Sequence, residues 1–130
     1  MDIEFEVWVS LIPIFADRNY SQIDPNYYKI LVDNDGNVLK KRLGFYKTIE
    51  DCLFELYDEY LKIDYEWCLK SLYNCNKNNK TIDITYICKM PYIKDCEKNG
   101  VFVNINEFMS TVMDEYYVKI VTSNSPESFR

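Results

Sequence analysis

Histidine is absent from this chain of 130 residues. Without an imidazole, the Ser-His-Asp and Cys-His nucleophile systems are excluded, as is every zinc site that needs a histidine ligand. Long apolar runs are also missing, since none approaches the roughly 18 residues of a transmembrane helix. The N-terminus is acidic and alternating from Met1 to Glu6, unlike a signal peptide. We therefore expect a cytoplasmic protein without membrane contact.

Basic residues are outnumbered, with 15 Lys and Arg against 21 Asp and Glu, and the net charge is −6. An acidic chain repels phosphate backbones, so general nucleic-acid binding is not expected. Hydrophobic residues make up 48% of the chain and argue against intrinsic disorder. The length suits one domain. We expect a single domain over residues 1–122 and a polar C-terminal tail over residues 123–130.

The chain has five cysteines and no CxxC pair, which predicts reduced cytosolic thiols, most of them buried. The alternative is a four-cysteine metal site, whose spacings do not match a zinc knuckle. Its members would be Cys68, Cys75, Cys88 and Cys96.

Asn, Ile, Lys and Tyr are abundant, a bias typical of the AT-rich genomes that many viruses and phages carry. The 12 Tyr, 7 Phe and 2 Trp residues suit a protein interface as well as a core. Composition thus suggests a viral or phage origin and leaves the role of the aromatic residues open.

The first half of the chain predicts three strands. Residues 4–14 alternate, which places Val7, Val9 and Leu11 on a buried face and Ser10 on the opposite face. Pro13 suggests that this strand ends at a sheet edge. Residues 27–32 and 38–43 flank an Asp-Gly turn and predict a hairpin. The run Lys40-Lys41-Arg42 alternates faces on such a strand, so a solvated strand end is favoured over a phosphate-binding patch.

A helix is predicted over residues 48–62, opened by a capping box between Thr48 and Asp51. Leu53, Leu56 and Tyr60 fall in its apolar stripe. We expect this stripe to pack on the sheet face formed by Ile82, Ile84 and Tyr86. The opposite side is acidic and is interpreted as a solvated face, with a metal-binding arrangement as the alternative. It carries Asp51, Glu55, Asp58 and Glu59.

The second half predicts strands over residues 65–73, 81–90 and 101–103, and a second helix capped by Asn104. Polar loops are expected over residues 74–80 and 91–100. Antiparallel strands mixed with two helices indicate an α/β (α+β) fold.

This order of elements resembles the Nudix hydrolase family over most of the chain. Residues 38–44, ending at Gly44, are similar to the strand and glycine that precede the family's catalytic helix, and residues 48–63 are similar to that helix. Residues 103–108 resemble the short strand that runs into a capped last helix. The resemblance implies a mixed β-sheet sandwiched by helices.

The metal-binding motif of that family, G-x5-E-x7-R-E-U-x-E-E-x-G-U with U apolar, is degenerate here. Aligned by the helix start, Glu55 takes the Arg position, Leu56 the first metal-binding Glu, and Tyr60 one Glu of the following pair. Only Glu59 matches. The loop after Gly44 is about three residues shorter, and the ungapped register does not restore the set.

The interpretation that follows is a catalytically inactive Nudix-like module, without catalytic residues or cofactor, that recognises a protein partner or a nucleotide-like small molecule. The alternative is a divergent Nudix-type pyrophosphohydrolase of nucleoside diphosphate derivatives. It would use Mg²⁺ or Mn²⁺ held by Glu55 and Glu59, together with Asp51 or Glu50. A structural assembly subunit is a third reading. An apolar surface patch would favour binding or assembly, and converging carboxylates would favour hydrolysis.

Overall fold

A computed structural model describes residues 5–17, 19–21, 23–61, 68–76, 80–89 and 99–111. Within these ranges the chain forms six strands and two helices. Their order is β1 (Glu6–Ala16), β2 (Tyr28–Val32), β3 (Leu39–Arg42), α1 (Ile49–Tyr60), β4 (Cys68–Asn76), β5 (Thr81–Lys89), β6 (Val101–Asn104) and α2 (Ile105–Thr111). In the part of the chain that the structure describes, neither helix is long and apolar enough to cross a bilayer.

All six strands belong to one mixed sheet with the order β4-β5-β1-β2-β6, and β3 also pairs with β1. The β1–β5 pair is parallel and the other pairs are antiparallel. The two long neighbours β4 and β5 pair as an antiparallel hairpin, in which β4 continues to Asn76 and shortens the expected polar loop. A mixed sheet with two helices confirms the predicted fold class.

Two apolar clusters lie on opposite faces of the sheet. One holds the buried side of α1 together with Val9 and Leu11 of β1. The other holds Ile12 and Ile14 of the same strand together with Phe108 of α2. Alternate residues of β1 therefore pack into different apolar clusters. The sheet is sandwiched between the helices as expected.

The central position of β1 corrects two expectations. Ser10 is fully buried rather than solvent-facing, and its hydroxyl donates a hydrogen bond to Oδ2 of Asp83, on the neighbouring strand β5, at 3.1 Å. Pro13 lies in the middle of the sheet, opposite Cys88 of β5. On the other side of β1, Pro13 falls between the residues that pair with β3 and those that pair with β2. A residue without an N–H group is tolerated there because β1 changes partners at this point.

The predicted β2–β3 hairpin is wrong, since both strands pair with β1 in the same direction. Between the Ile14–Ile30 pair and the Leu11–Leu39 pair, β1 advances by three residues, whereas the segment that pairs with it advances by nine. Residues 33–38 thus form a loop inserted into one interrupted strand. The turn chemistry itself is as expected, because Gly36 has a φ of 83°.

Candidate functional site

The helix α1 begins where the sequence predicts. The N–H of Asp51 donates to Oγ1 of Thr48 at 3.0 Å, and the N–H of Thr48 donates to Oδ2 of Asp51 at 2.9 Å. This reciprocal capping box satisfies two N–H groups at the start of the helix. The cap fixes the helical phase, and with it the side of the helix that faces the sheet.

The apolar stripe of α1 is the buried side. Leu56 has no exposed surface, and Cys52 and Tyr57 lie beside it in the same cluster. The sheet residues that meet the helix differ in part from those expected, since the cluster is built on Val9 and Leu11 of β1 and Leu39 of β3. From β5 it takes Cys88 and the expected Tyr86. The helix α1 crosses the sheet over β1 and β3, so it packs on the central strand β1 rather than mainly on β5.

Tyr60 lies at the end of the stripe and packs against the cluster without being fully buried. Burial raises the pKa of its phenol, and the neighbouring carboxylate of Glu59 raises it further. A phenol with a raised pKa stays neutral near pH 7, so it supplies no anionic oxygen to a cation.

The two candidate metal-binding carboxylates are each paired with a lysine. Nζ of Lys41, on β3, lies 2.9 Å from Oε2 of Glu59. Nζ of Lys47, just before α1, lies 2.8 Å from Oε1 and 3.0 Å from Oε2 of Glu55. Glu55 and Glu59 stand four residues apart on the helix, a spacing at which like charges repel. The two ammonium groups offset that repulsion.

These residues do not fit a hard divalent cation in the arrangement seen. Mg²⁺ prefers several oxygen ligands in near-octahedral geometry, whereas each carboxylate here is turned to its own ammonium. Among the described residues, His, Cys, Asp and Glu side chains form no group of three or more that could hold a metal ion. Sequence reasoning missed both lysines as partners. Only the short separation of Lys47 from the helix start could have signalled one of them.

The basic run of β3 alternates faces as predicted. Lys41 points toward α1 and Glu59, while Arg42 pairs with Glu6 at 3.5 Å. Nζ of Lys40 lies 5.4 Å from the ring centroid of Trp8. The three cations are therefore distributed over both faces of the strand and form no single phosphate-binding patch.

Two aromatic side chains project from the loop between β3 and α1. Phe45 is 94% exposed, and Tyr46 is fully exposed with a φ of 65°. A positive φ is unusual for a residue with a side chain and indicates local strain. Exposed rings of this kind are typical of a surface that a protein partner covers. The sequence indicated them only through the overall aromatic content.

The described cysteines do not converge on one point. Cys52 and Cys88 are both fully buried, in agreement with the prediction of burial for these two. Burial raises the pKa of the Cys52 thiol and keeps it protonated. Cys68 lies opposite Cys88, but Cys75 lies opposite Ile82, six residues away along β5. Six residues of strand span about 20 Å, which separates Cys75 from the other two. Cys96 lies outside the described residues.

Comparison with known proteins gives a fold and no closer relative. No protein-family model matches the chain, and no curated protein matches it. Solved structures do match. A bifunctional NMN adenylyltransferase/ADP ribose pyrophosphatase from Francisella tularensis aligns over 94% of this chain with a TM-score of 0.63 and 11% identity. The chain has a Nudix-like fold.

Further structural neighbours support the Nudix-like fold. A MutT/nudix family protein from Enterococcus faecalis aligns over 80% of this chain with a TM-score of 0.53 and 14% identity. The NUDIX domain of NrtR from Shewanella oneidensis, in complex with ADP ribose, aligns over 85% of this chain and 79% of its own length, with a TM-score of 0.55 and 9% identity. This chain spans only 45% of the Enterococcus protein and 41% of the Francisella protein.

Proposed function

We propose that this chain is a catalytically inactive Nudix-like module that binds a nucleotide-like ligand. The observation that carries the proposal is the complete burial of Leu56. In the alignment by helix start, this residue stands where the Nudix motif has its first metal-binding glutamate. A buried aliphatic side chain offers no oxygen to Mg²⁺, and its neighbours in the cluster are apolar.

The ion pairs of Glu55 and Glu59 support the same reading. A divalent cation at either carboxylate has to displace an ammonium held at 2.8 or 2.9 Å. Without bound metal, a Nudix-like site lacks the charge that stabilises a leaving phosphate and activates water. The carboxylates then serve to attach α1 to β3 and to the preceding loop.

The structural neighbours support the proposed ligand class. The NrtR NUDIX domain is seen with ADP ribose, so a domain of this fold accommodates a nucleoside diphosphate derivative. A protein partner is the second candidate, favoured by the exposed rings of Phe45 and Tyr46. Tyrosine and phenylalanine supply large contact areas at protein interfaces.

The first experiment tests hydrolysis. The purified chain is incubated with Mg²⁺ or Mn²⁺ and a panel of nucleoside diphosphate sugars, dinucleotides and oxidised nucleoside triphosphates. We expect no metal-dependent turnover, in the wild type or in the matched Glu55→Gln and Glu59→Gln variants. Turnover of about 1 s⁻¹ or faster, in the ordinary enzyme range, that disappears in Glu59→Gln would overturn the proposal and establish the divergent hydrolase.

The second experiment tests binding by titration calorimetry with ADP-ribose, in buffer containing either Mg²⁺ or EDTA. We expect the same dissociation constant in both buffers, because no metal takes part. Binding that requires Mg²⁺ would contradict the proposal. Absence of binding in both buffers, together with loss of a captured protein partner in a Phe45→Ala, Tyr46→Ala double variant, would favour the protein-binding candidate instead.

A further inference from the structure

The loop between β3 and α1 presents two adjacent aromatic rings to solvent. Phe45 is 94% exposed, and Tyr46 is fully exposed. The φ of Tyr46 is 65°, a conformation that costs free energy for a residue with a side chain. Aromatic surface left in water also forgoes the favourable free energy of burial. The loop thus holds two large rings in water at a cost that their burial by a partner would offset.

A third exposed ring lies on the helix that follows the loop. Phe54 of α1 is 60% exposed. It stands six residues beyond the N-cap Thr48, which is about 9 Å along the helix axis. The other side of α1 packs into the apolar cluster on the sheet, so Phe54 belongs to the solvent-facing side. The rings of Phe45, Tyr46 and Phe54 are called the aromatic surface below.

The aromatic surface lies among acidic side chains. Residues 45–60 contain five acidic residues and one lysine. Glu50 and Asp58 stand four residues before and after Phe54, so they share its side of the helix. When Lys41 of β3 is counted as well, because its ammonium reaches the helix, the region carries five carboxylates against two ammonium groups. Its net charge is therefore negative, and the whole chain has a net charge of −6.

Exposed rings in a negative region suit basic side chains that are flanked by apolar ones. An arginine or lysine side chain packs its apolar stem along a ring while its charged head stays near the carboxylates. A guanidinium also stacks on an aromatic face. Nucleic acid and an anionic membrane surface are repelled by the same charge. A second copy of this chain is also disfavoured, since each copy carries the net charge of −6.

We propose that the aromatic surface docks a basic segment of a partner protein, in which arginine or lysine alternates with apolar residues. The apolar side chains of that segment cover the rings of Phe45 and Tyr46. Its basic side chains lie along Phe54, where the net negative charge of the helix face attracts them. Charge attraction speeds the encounter, and burial of the rings supplies most of the affinity. Docking here does not depend on the nucleotide-like ligand proposed above.

The test is fluorescence anisotropy of the folded full-length chain with three labelled synthetic peptides of equal length. Arginine alternates with leucine in the first peptide and with serine in the second, and glutamate alternates with leucine in the third. We expect saturable binding of one arginine–leucine peptide per chain, and binding of the arginine–serine peptide that is weaker by about tenfold or more. The glutamate–leucine peptide should not bind. Added NaCl should weaken binding of the first peptide, because salt screens the attraction.

Variants of the exposed residues assign the binding to this surface. The Phe45→Ala, Tyr46→Ala double variant should bind the arginine–leucine peptide more weakly by about tenfold or more. Phe54→Ala tests the helix side separately and should also weaken binding. Ile23→Ala is the matched control and should bind as the wild type does. Ile23 is 82% exposed and lies after the last residue of β1, whereas β3 runs into the aromatic surface beside the start of that strand. Circular dichroism confirms that each variant is folded.

Three results would overturn the proposal. One is the absence of binding of the arginine–leucine peptide to the wild type. Another is equal affinity of that peptide for the wild type and for both the double variant and Phe54→Ala. The third is binding of the glutamate–leucine peptide as tight as that of the arginine–leucine peptide. Self-association of the wild type in sedimentation equilibrium, lost in the double variant, would instead assign the rings to a second copy and also refute the basic partner.

Discussion

The ammonium of Lys41 lies 2.9 Å from Oε2 of Glu59 and joins the interrupted strand β3 to the helix α1. The interaction is the main reason that the pKa of Lys41 is raised above its ordinary value of 10.5, while partial burial opposes the change. A cation thus occupies the neighbourhood in which the Nudix motif places carboxylates for metal.

Replacing Glu59 with Gln should lower the pKa of Lys41 toward 10.5, because the largest cause of its elevation is the hydrogen bond to Glu59. The Glu55→Gln variant is the matched control and should leave most of the elevation in place, since Glu55 acts only through a weaker charge interaction. An NMR titration of the lysine side-chain resonances measures both. Equal effects of the two variants would contradict the assignment.

The same pair predicts the sign of a pH effect on stability. A raised pKa means that folding favours the protonated lysine, so the stabilisation is fully present below pH 10.5 and is lost as the pH rises through the raised value. Both side chains are more than a third exposed, so a Lys41→Met variant should lose less than about 1 kcal/mol at neutral pH. Urea unfolding at pH 7 and above pH 10.5 measures the difference. A larger loss at the higher pH would contradict the sign.

Truncating Leu56 to Ala should lower the free energy of unfolding by about 2–5 kcal/mol, because the side chain is fully buried in the cluster beneath α1. Ile23→Ala is the matched apolar truncation at an exposed position and should change stability by less than about 0.5 kcal/mol. Urea unfolding followed by circular dichroism gives both values. A cost at Leu56 as small as the control would mean that the helix faces the other way.

Removing the hydroxyl of the N-cap should also be measurable. Thr48→Ala loses the acceptor for the N–H of Asp51 and should cost about 0.5–2 kcal/mol. Thr48→Ser keeps the oxygen and should retain most of the stability. The comparison uses the same unfolding assay, and an equal loss in both variants would show that the methyl group rather than the cap matters.

Gly100 is the glycine that should tolerate a side chain least. Its φ is 90°, and a Cβ atom there would collide with the backbone carbonyl oxygen of Val32. Gly100→Ala should therefore lower the free energy of unfolding by about 1–3 kcal/mol. Gly44→Ala is the control, because a Cβ at that position meets no atom within 4 Å. Thermal unfolding of the two variants should separate them clearly, and matching midpoints would refute the collision.

The amino-acid sequence by itself determined the local elements. The capping box at Thr48, the apolar stripe through Leu56 and the cap at Asn104 appear in the structure as predicted. Each of these depends on residues within one or two turns of each other, so periodicity and cap chemistry are sufficient to locate them. The resemblance in element order was likewise enough to predict the Nudix-like fold.

Only the tertiary structure decided which strands pair and which groups meet. The turn at Gly36 looked like a hairpin, but both flanking strands pair with β1. Pro13 and Ser10 looked peripheral but lie in the central strand. The register that places Cys68 opposite Cys88 is equally long-range. Partner choice follows from burying both faces of β1 at once, a requirement that no local pattern records.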